Sequence, residues 1–92
     1  MPRKPSAAAA HIGSRITQVR RKKTWTQDQL AVESGIDSAS IRSYENGRAM
    51  VNVRTLIRIA TALQTDAGWF LEGLSDEQFD EPREVFEAKK TA

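Results

Sequence analysis

The chain has 92 residues, enough for one small domain with tails, and its 39% hydrophobic and 28% charged residues are ordinary for a globular protein. The absence of cysteine excludes disulfides, thiolate metal sites and cysteine nucleophiles, and it fits a reducing cytoplasm, where we expect the protein to act. No apolar run approaches the roughly 18 residues of a membrane span, and the start of the chain is too weakly apolar for a signal peptide.

The net charge of +2 is distributed unevenly along the chain. Residues 1–65 contain 11 Lys and Arg against 4 Asp and Glu, giving +7, whereas residues 66–92 contain 3 against 8, giving −5. This distribution favours a polyanion such as nucleic acid as the partner of the basic part. Solubility alone also explains such charge, so composition leaves both interpretations open.

The chain begins with two prolines and two basic residues, and we expect residues 1–8 to form a flexible basic arm. Ser6 is a candidate cap for a first helix that begins in the alanine run. Gly13 costs this helix about 1 kcal/mol relative to alanine, and the basic turn at residues 20–23 suits its C-terminal end. The apolar stripe of the helix recurs at helical spacing and consists of Ala9, Ile12, Ile16 and Val19.

A second helix has a clear start signal. In residues 26–29, Thr26 is followed three positions later by a glutamine, which is the pattern of a capping box. This predicts a helix from Gln27 to residue 33 or 34. Gly35 follows, and glycine adopts the positive φ of a helix-ending position without steric cost.

A third helix is predicted to begin at Asp37 or Ser38, either of which can cap it, and to end before Gly47. Its inward residues are Ile41 and Tyr44. The turn between the second and third helices is therefore very short, which brings the two helices into contact.

The second and third helices meet the requirements of a helix-turn-helix unit. Ala31 is small where the backbones approach, Gly35 turns the chain, and Ile36 and Ile41 hold the two helices together. The third helix of such a unit can lie in the major groove of DNA, and we expect its outer residues to contact bases: Ser38, Ala39, Arg42 and Ser43. The alternative is a solvated helix face with Arg42 as a surface charge, and this spacing alone does not decide between the two.

A fourth helix is predicted after Asn52, its candidate cap, with Ile59 on the edge of its apolar face. The inward residues of that face are Val53, Leu56, Ile57, Ala60 and Leu63. A short fifth helix should begin at Thr65 or Asp66 and end at Gly73.

No strand pattern occurs, so the fold class is all-α, with a folded domain at residues 9–74. The remaining residues, 75–92, form an acidic tail with room for one short helix at residues 82–86.

Several motifs occur in order between residues 12 and 73: Ile12-Gly13-x-Arg15-Ile16, Val19-Arg20, Thr26-Gln27-x2-Leu30-Ala31-x3-Gly35-x5-Ile41-x3-Glu45-Asn46-Gly47, Leu56-x2-Ile59-Ala60-x2-Leu63 and Trp69-Phe70-Leu71-x-Gly73. In this order and spacing the chain resembles the phage-repressor family of the Cro and lambda-repressor type, also called XRE-family helix-turn-helix proteins. The resemblance implies a compact five-helix domain that binds double-stranded DNA, usually as a symmetric homodimer.

The resemblance also implies roles for individual residues. It implies base contacts for Ser38, Ala39 and Ser43, and in some members for Arg42. It implies a structural ion pair between Arg20 and Glu45 and backbone contacts for Gln27, Asn46 and Arg48. The free N–H groups and the positive dipole end of the second helix also favour a phosphate contact, as do the exposed basic residues. The predicted phosphate-contacting residues are therefore Lys22, Lys23, Thr26, Gln27, Asn46, Arg48 and Arg54.

The chain departs from the family pattern at four positions. Thr24 and Trp25 stand where glycine and leucine are common, which alters the turn between the first two helices. Gln64 stands where a glycine often ends the fourth helix. Arg42 stands where many members have serine, so no operator preference is carried over from the family.

A homodimer needs apolar residues that the monomer core does not use, and the candidates are Ile59, Leu63, Trp69, Phe70 and Leu74. We expect such a dimer to bind an inverted repeat with half-sites about one helical turn apart. The basic arm either adds a contact with DNA or has no role.

The expected function is that of a sequence-specific transcriptional regulator, either a repressor or a controller protein of a restriction-modification operon. The alternative is an antitoxin that binds a toxin as its protein partner through the acidic tail and regulates its own operon. An enzyme is disfavoured, because His11 is the only histidine and no metal-ligand spacing or cofactor motif accompanies it.

Overall fold

A computed structural model describes residues 6–79 of the chain. Within this range the protein is all-α and has four α-helices: α1 (Ala7–Lys22), α2 (Gln27–Ser34), α3 (Ser38–Glu45) and α4 (Val53–Ala62). Two 3₁₀ helices follow, at Ala67–Leu71 and Asp76–Phe79. None of the helices in this part of the chain is long and apolar enough to cross a membrane.

The first helix begins earlier than the predicted domain boundary. The Ser6 side chain accepts a hydrogen bond from the backbone N–H of Ala9 and caps α1 at its predicted start. Ala7 and Ala8 therefore belong to the helix, and Ala8 is completely buried. The arm predicted over residues 1–8 was too long, because the cap at Ser6 lets the alanine run join the core.

The other three caps also follow from local chemistry. Thr26 and Gln29 form the complete capping box that starts α2, Asp37 caps α3, and Asn52 caps α4 through the backbone N–H of Thr55. Gly35 follows α2 in the left-handed conformation at φ 72°. The predicted bounds of α2 and α3 and the predicted start of α4 are confirmed.

The predicted fifth helix is not an α-helix. Residues Ala67–Leu71 form a 3₁₀ helix of five residues, and its N-cap Asp66 makes no side-chain cap hydrogen bond. A segment this short forms few i to i−4 hydrogen bonds, so the tighter helix is adopted. The domain is therefore a four-helix unit followed by 3₁₀ turns, and the helix predicted at residues 82–86 lies outside the described residues.

The hydrophobic core lies where α1, α2, α3 and α4 meet, with the first 3₁₀ helix closing one side. Ile59 is fully buried there, whereas Val53 is 74% exposed and Ile57 is 51% exposed. The predicted apolar face of α4 was thus rotated: Ile59 is central and Val53 and Ile57 face outward. The core residues are Ile12, Ile16, Leu30, Ala31, Ile36, Ile41, Val51, Leu56, Ile59, Ala60, Leu63 and Phe70.

Polar side chains of α1 hold the first 3₁₀ helix in place. Arg15 donates to the carbonyl oxygen of Trp69 at 2.6 Å, and its guanidinium lies 4.4 Å from the centroid of the Trp69 ring. His11 Nε2 lies 2.6 Å from the carbonyl oxygen of Glu72. These contacts satisfy carbonyl groups at the end of a short helix and fix the ring that covers the core.

Candidate nucleic-acid interface

The first turn of α2 lies across α3. The Gln27 side chain donates from Nε2 to Oε1 of Glu45 at 3.0 Å, near the end of α3. The next residue, Asp28, accepts a hydrogen bond at Oδ1 from the hydroxyl of Ser38 at 2.7 Å, at the start of α3. Two consecutive residues of α2 therefore contact opposite ends of α3 and fix the angle between the helices.

The position of α3 relative to α1 is fixed by an ion pair between Arg20 and Glu45. Arg20 donates from Nε to Oε2 of Glu45 at 2.6 Å and from Nη2 to Oε1 at 2.9 Å. Its Nη1 donates to the carbonyl oxygen of Trp25 at 2.7 Å. Both charged side chains are largely buried, and this bidentate geometry is the strong form of an arginine–carboxylate pair. The structure thus contains the contact that the family resemblance implied.

The network also determines the ionisation of Glu45. Burial opposes the charged form and acts to raise the pKa of Glu45, but the hydrogen bonds from Arg20 and Gln27 outweigh it. The pKa of Glu45 is therefore lowered from its usual value. An ionised Glu45 joins α1, α2 and α3 at one point.

The predicted division of α3 into an inner and an outer face is present in the structure. Ile41 is fully buried, and Tyr44 packs partly buried against the core. Ala39 and Arg42 are exposed, and Ser38 and Ser43 are partly exposed. All four candidate base-contacting residues therefore have accessible surface, and their contacts with bases remain a prediction.

Most candidate phosphate-contacting residues are accessible as well. Asn46 accepts a hydrogen bond at Oδ1 from the backbone N–H of Arg48 at 3.1 Å, which leaves its amide N–H groups to donate outward. Gln27 uses one side-chain N–H on Glu45 and retains the other. The exposed members of the set are Lys22, Thr26, Asn46, Arg48 and Arg54, and Lys23 and Gln27 are partly exposed.

The two lysines at the end of α1 differ in their surroundings. Lys23 donates to Oε1 of Gln64 at 3.2 Å and lies 5.5 Å from the Trp25 ring centroid, so its ammonium group is directed toward the end of α4. Lys22 instead lines a shallow groove beside Glu45 together with Arg21. Arg21 was not among the predicted phosphate contacts, although it belongs to the basic turn at residues 20–23.

The sequence analysis did not predict the contact between Asp28 and Ser38, for a different reason. Its carboxylate contacts Ser38, ten residues later in the chain, and only the packing of α2 on α3 brings the two together. The sequence signal was an acidic residue in the first turn of a helix, which a favourable interaction with the helix dipole already explains.

The proposed dimer residues divide into two groups. Ile59, Leu63 and Phe70 are at most 1% exposed and belong to the monomer core, so their assignment to an interface is wrong. Each is part of the buried core and offers no surface to a partner. Trp69 and Leu74 are partly buried against the core and retain some accessible surface.

The arrangement defines a class of protein. A short helix with an accessible, mostly small-residue outer face is held at a fixed angle to the preceding helix by polar contacts at both of its ends. Within residues 6–79 no group of three or more His, Asp and Glu side chains is placed to hold a metal ion. This is the geometry of a helix-turn-helix domain.

The chain belongs to the helix-turn-helix family HTH_3, whose sequence model matches residues 16–70. It is 34% identical over 70 residues to the uncharacterized HTH-type transcriptional regulator y4wC of Sinorhizobium fredii. That match covers 76% of this chain and 49% of y4wC, so the chain spans about half the length of this relative. The resemblance to XRE-family proteins is confirmed.

Two solved structures show the same fold. The restriction-modification controller protein C.AhdI from Aeromonas hydrophila is 27% identical with a TM-score of 0.66, and the match covers 67% of this chain and 94% of that one. The P22 c2 repressor protein, in complex with a synthetic operator, is 27% identical with a TM-score of 0.63, covering 68% and 96%.

Proposed function

We propose that the protein is a sequence-specific transcriptional regulator that binds double-stranded DNA as a homodimer, with α3 in the major groove. One observation carries the proposal. The accessible face of α3 combines small residues with Arg42, while buried contacts of Arg20 and Glu45 hold the helix rigidly from behind. A rigid helix with a shallow outer face can approach base edges closely.

Two kinds of contact follow from this placement. Phosphate contacts from exposed groups such as Asn46, Arg48 and Arg54 set the register of the protein on the duplex and carry no sequence information. Base contacts from the outer face of α3 supply specificity, and Arg42 is the residue suited to a bidentate contact with guanine. The basic charge of residues 1–65 supports both kinds of contact.

The homodimer needs a surface outside the core. Trp69 and Leu74 remain candidates, and Leu71 between them is 43% exposed. We place the interface at these three residues, because each is apolar and keeps accessible surface, two of them in the first 3₁₀ helix and Leu74 shortly after it. A two-fold dimer requires an inverted-repeat operator whose half-sites are about one helical turn apart.

Regulation by a small protein of this kind follows from mass action, since dimerisation makes operator occupancy depend on protein concentration. A role as a repressor or as a restriction-modification controller fits this behaviour, and structural neighbours of both kinds support it. The alternative is an antitoxin that binds a toxin through residues 75–92, most of which lie outside the described residues.

The proposal is tested by selecting ligands from a randomised duplex DNA pool at near-physiological salt and sequencing the bound fraction. We expect an enriched motif with two-fold symmetry, and sedimentation of the free protein should show a dimer. Uniform, salt-sensitive binding without a motif would contradict the proposal and favour the antitoxin alternative. Co-purification with a small basic protein encoded beside it would then be the next observation to seek.

A further inference from the structure

The hydrogen bond between Ser38 and Asp28 determines whether the Ser38 hydroxyl can donate a hydrogen bond to another group or can only accept one. The Ser38 hydroxyl at the start of α3 and Oδ1 of Asp28 in the first turn of α2 are 2.7 Å apart, and both residues have accessible surface. An ionised carboxylate only accepts hydrogen bonds, whereas a hydroxyl has one proton and two lone pairs. The proton of Ser38 therefore points toward Asp28, and the Ser38 oxygen faces outward as an acceptor.

A serine without this constraint can pair with any base, because its hydroxyl rotates to donate or to accept. On the major-groove edge, adenine N6 and cytosine N4 are donors, whereas guanine O6 and N7 and thymine O4 are acceptors. A Ser38 that can only accept matches adenine or cytosine. The negative charge of Asp28 beside it further disfavours a guanine or thymine oxygen.

We propose that Asp28 is a specificity-determining residue that positions the Ser38 hydroxyl so that it selects a base with an exocyclic amino group, adenine or cytosine. This inference rests on the proposed function, in which the N-terminal part of α3 contacts base edges. Asp28 acts through Ser38, so its effect is confined to one base pair in each half-site.

The test compares selections from the same randomised duplex pool with four proteins: wild type, Asp28→Ala, Ser38→Ala and the double variant. For wild type we expect adenine or cytosine at one position of each half-site. Asp28→Ala should reduce that preference about two- to tenfold, the value of one hydrogen bond, and leave the other positions unchanged. In the Ser38→Ala background, Asp28→Ala should have no further effect on base preference.

A matched control separates positioning from charge. Glu33→Ala removes another exposed carboxylate from the same helix without contact to Ser38. It should leave the preference at every position unchanged, and any gain in affinity should be equal for all sequences.

The outcomes distinguish this inference from the proposed function. A wild-type motif that Asp28→Ala leaves unchanged, or a wild-type preference for guanine or thymine at the Ser38 position, overturns the role of Asp28 and leaves the regulator intact. No motif with the wild-type protein overturns both. Melting curves of the four proteins confirm that each is folded during the selection.

Discussion

Gly13 of α1 and the carbonyl oxygen of Tyr44 in α3 are so close that no side-chain atom fits between them. A Cβ atom on Gly13 would overlap this oxygen and would lie 2.9 Å from the carbonyl oxygen of Glu45. α1 therefore crosses the end of α3 backbone against backbone. Glycine weakens a helix by about 1 kcal/mol relative to alanine, and here it permits the close crossing on which the Arg20–Glu45 pair depends.

We expect Gly13→Ala to lower the free energy of unfolding by about 1–3 kcal/mol or more, because the added methyl group forces two helix backbones apart. Helix propensity alone predicts the opposite sign, a gain of about 1 kcal/mol. Urea denaturation measures the difference. Ser14→Ala, at the next and exposed position of the same helix, should change stability by no more than about 0.5 kcal/mol.

Thr24 is held in the left-handed conformation at φ 61° between α1 and α2. This conformation costs an L-residue about 1–2 kcal/mol, whereas glycine adopts it freely. We expect Thr24→Gly to raise the free energy of unfolding by about 0.5–1 kcal/mol, after the greater entropy of glycine in the unfolded chain is subtracted.

The matched control for Thr24 is Thr26→Gly, two residues later. Thr26 has φ −82° and caps α2 with its side chain, so glycine relieves no strain there and removes the cap. This variant should be slightly destabilised in the same denaturation experiment. Equal destabilisation of both variants would show that the backbone of Thr24 is not strained.

The starts of the four α-helices were predictable because each cap is a short-range signal. Ser6, Thr26, Asp37 and Asn52 each accept a hydrogen bond from a backbone N–H three residues later. Such contacts depend only on neighbouring residues, so a pattern in the sequence is sufficient to find them. The division of α3 into two faces was also predictable from the local sequence, because the burial of Ile41 sets the rotation of the helix.

The exact rotation of α4 was not predictable, because its apolar face is broad and carries more residues than the core buries. Val53, Ile57 and Ile59 are equally apolar, and only the packing of α4 against α2 and the first 3₁₀ helix decides that Ile59 is buried. The prediction of Ile59 as a dimer residue failed for this reason. The hydrogen bond between Asp28 and Ser38 could not be predicted from the sequence either, because it depends on the angle between two helices.

Removing the charge of Arg20 leaves the largely buried carboxylate of Glu45 without its cationic partner. We expect Arg20→Met to lower the free energy of unfolding by about 3–5 kcal/mol, because an uncompensated buried charge is costly. A double variant with Arg20→Met and Glu45→Met should be less destabilised than Arg20→Met alone, since it leaves no charge unpaired. Chemical denaturation of wild type, Arg20→Met, Glu45→Met and the double variant measures this coupling, and purely additive effects would exclude a direct ion pair.

Stability should also fall in acid because of Glu45. Its pKa is lower in the folded protein than the usual 4.5, so its stabilisation is fully present above that value and is lost as the pH falls through the lowered pKa. We expect Glu45→Gln to lose less stability than wild type when urea denaturation is repeated from about pH 7 to about pH 3.

Some pH dependence should persist in Glu45→Gln. The hydrogen bonds from the side chain and backbone N–H of Ser40 lower the pKa of Asp37, which acts in the same direction. Wild type and Glu45→Gln with identical pH profiles would show that Glu45 does not ionise more readily on folding.

Arg42 and Arg48 are both exposed, but they should have different roles on DNA. Arg42→Ala should weaken binding to the selected operator by about 1–3 kcal/mol and relax specificity at one base pair per half-site. Arg48→Ala should weaken binding to all duplexes alike and reduce the slope of log K against log salt by about one unit per contact. Fluorescence anisotropy titrations with the operator and with a scrambled duplex, over a range of salt concentrations, measure both effects.

Each arginine variant serves as the control for the other, since each removes one positive charge and about the same side-chain volume. A loss for Arg42→Ala that is equal on operator and scrambled DNA would make Arg42 a phosphate contact. A loss for Arg48→Ala that is confined to one base position would make Arg48 a base contact. If Arg42 were a phosphate contact, specificity would have to come from the short residues of α3 and from DNA shape, because Arg42 is the only long donor on the accessible face of that helix.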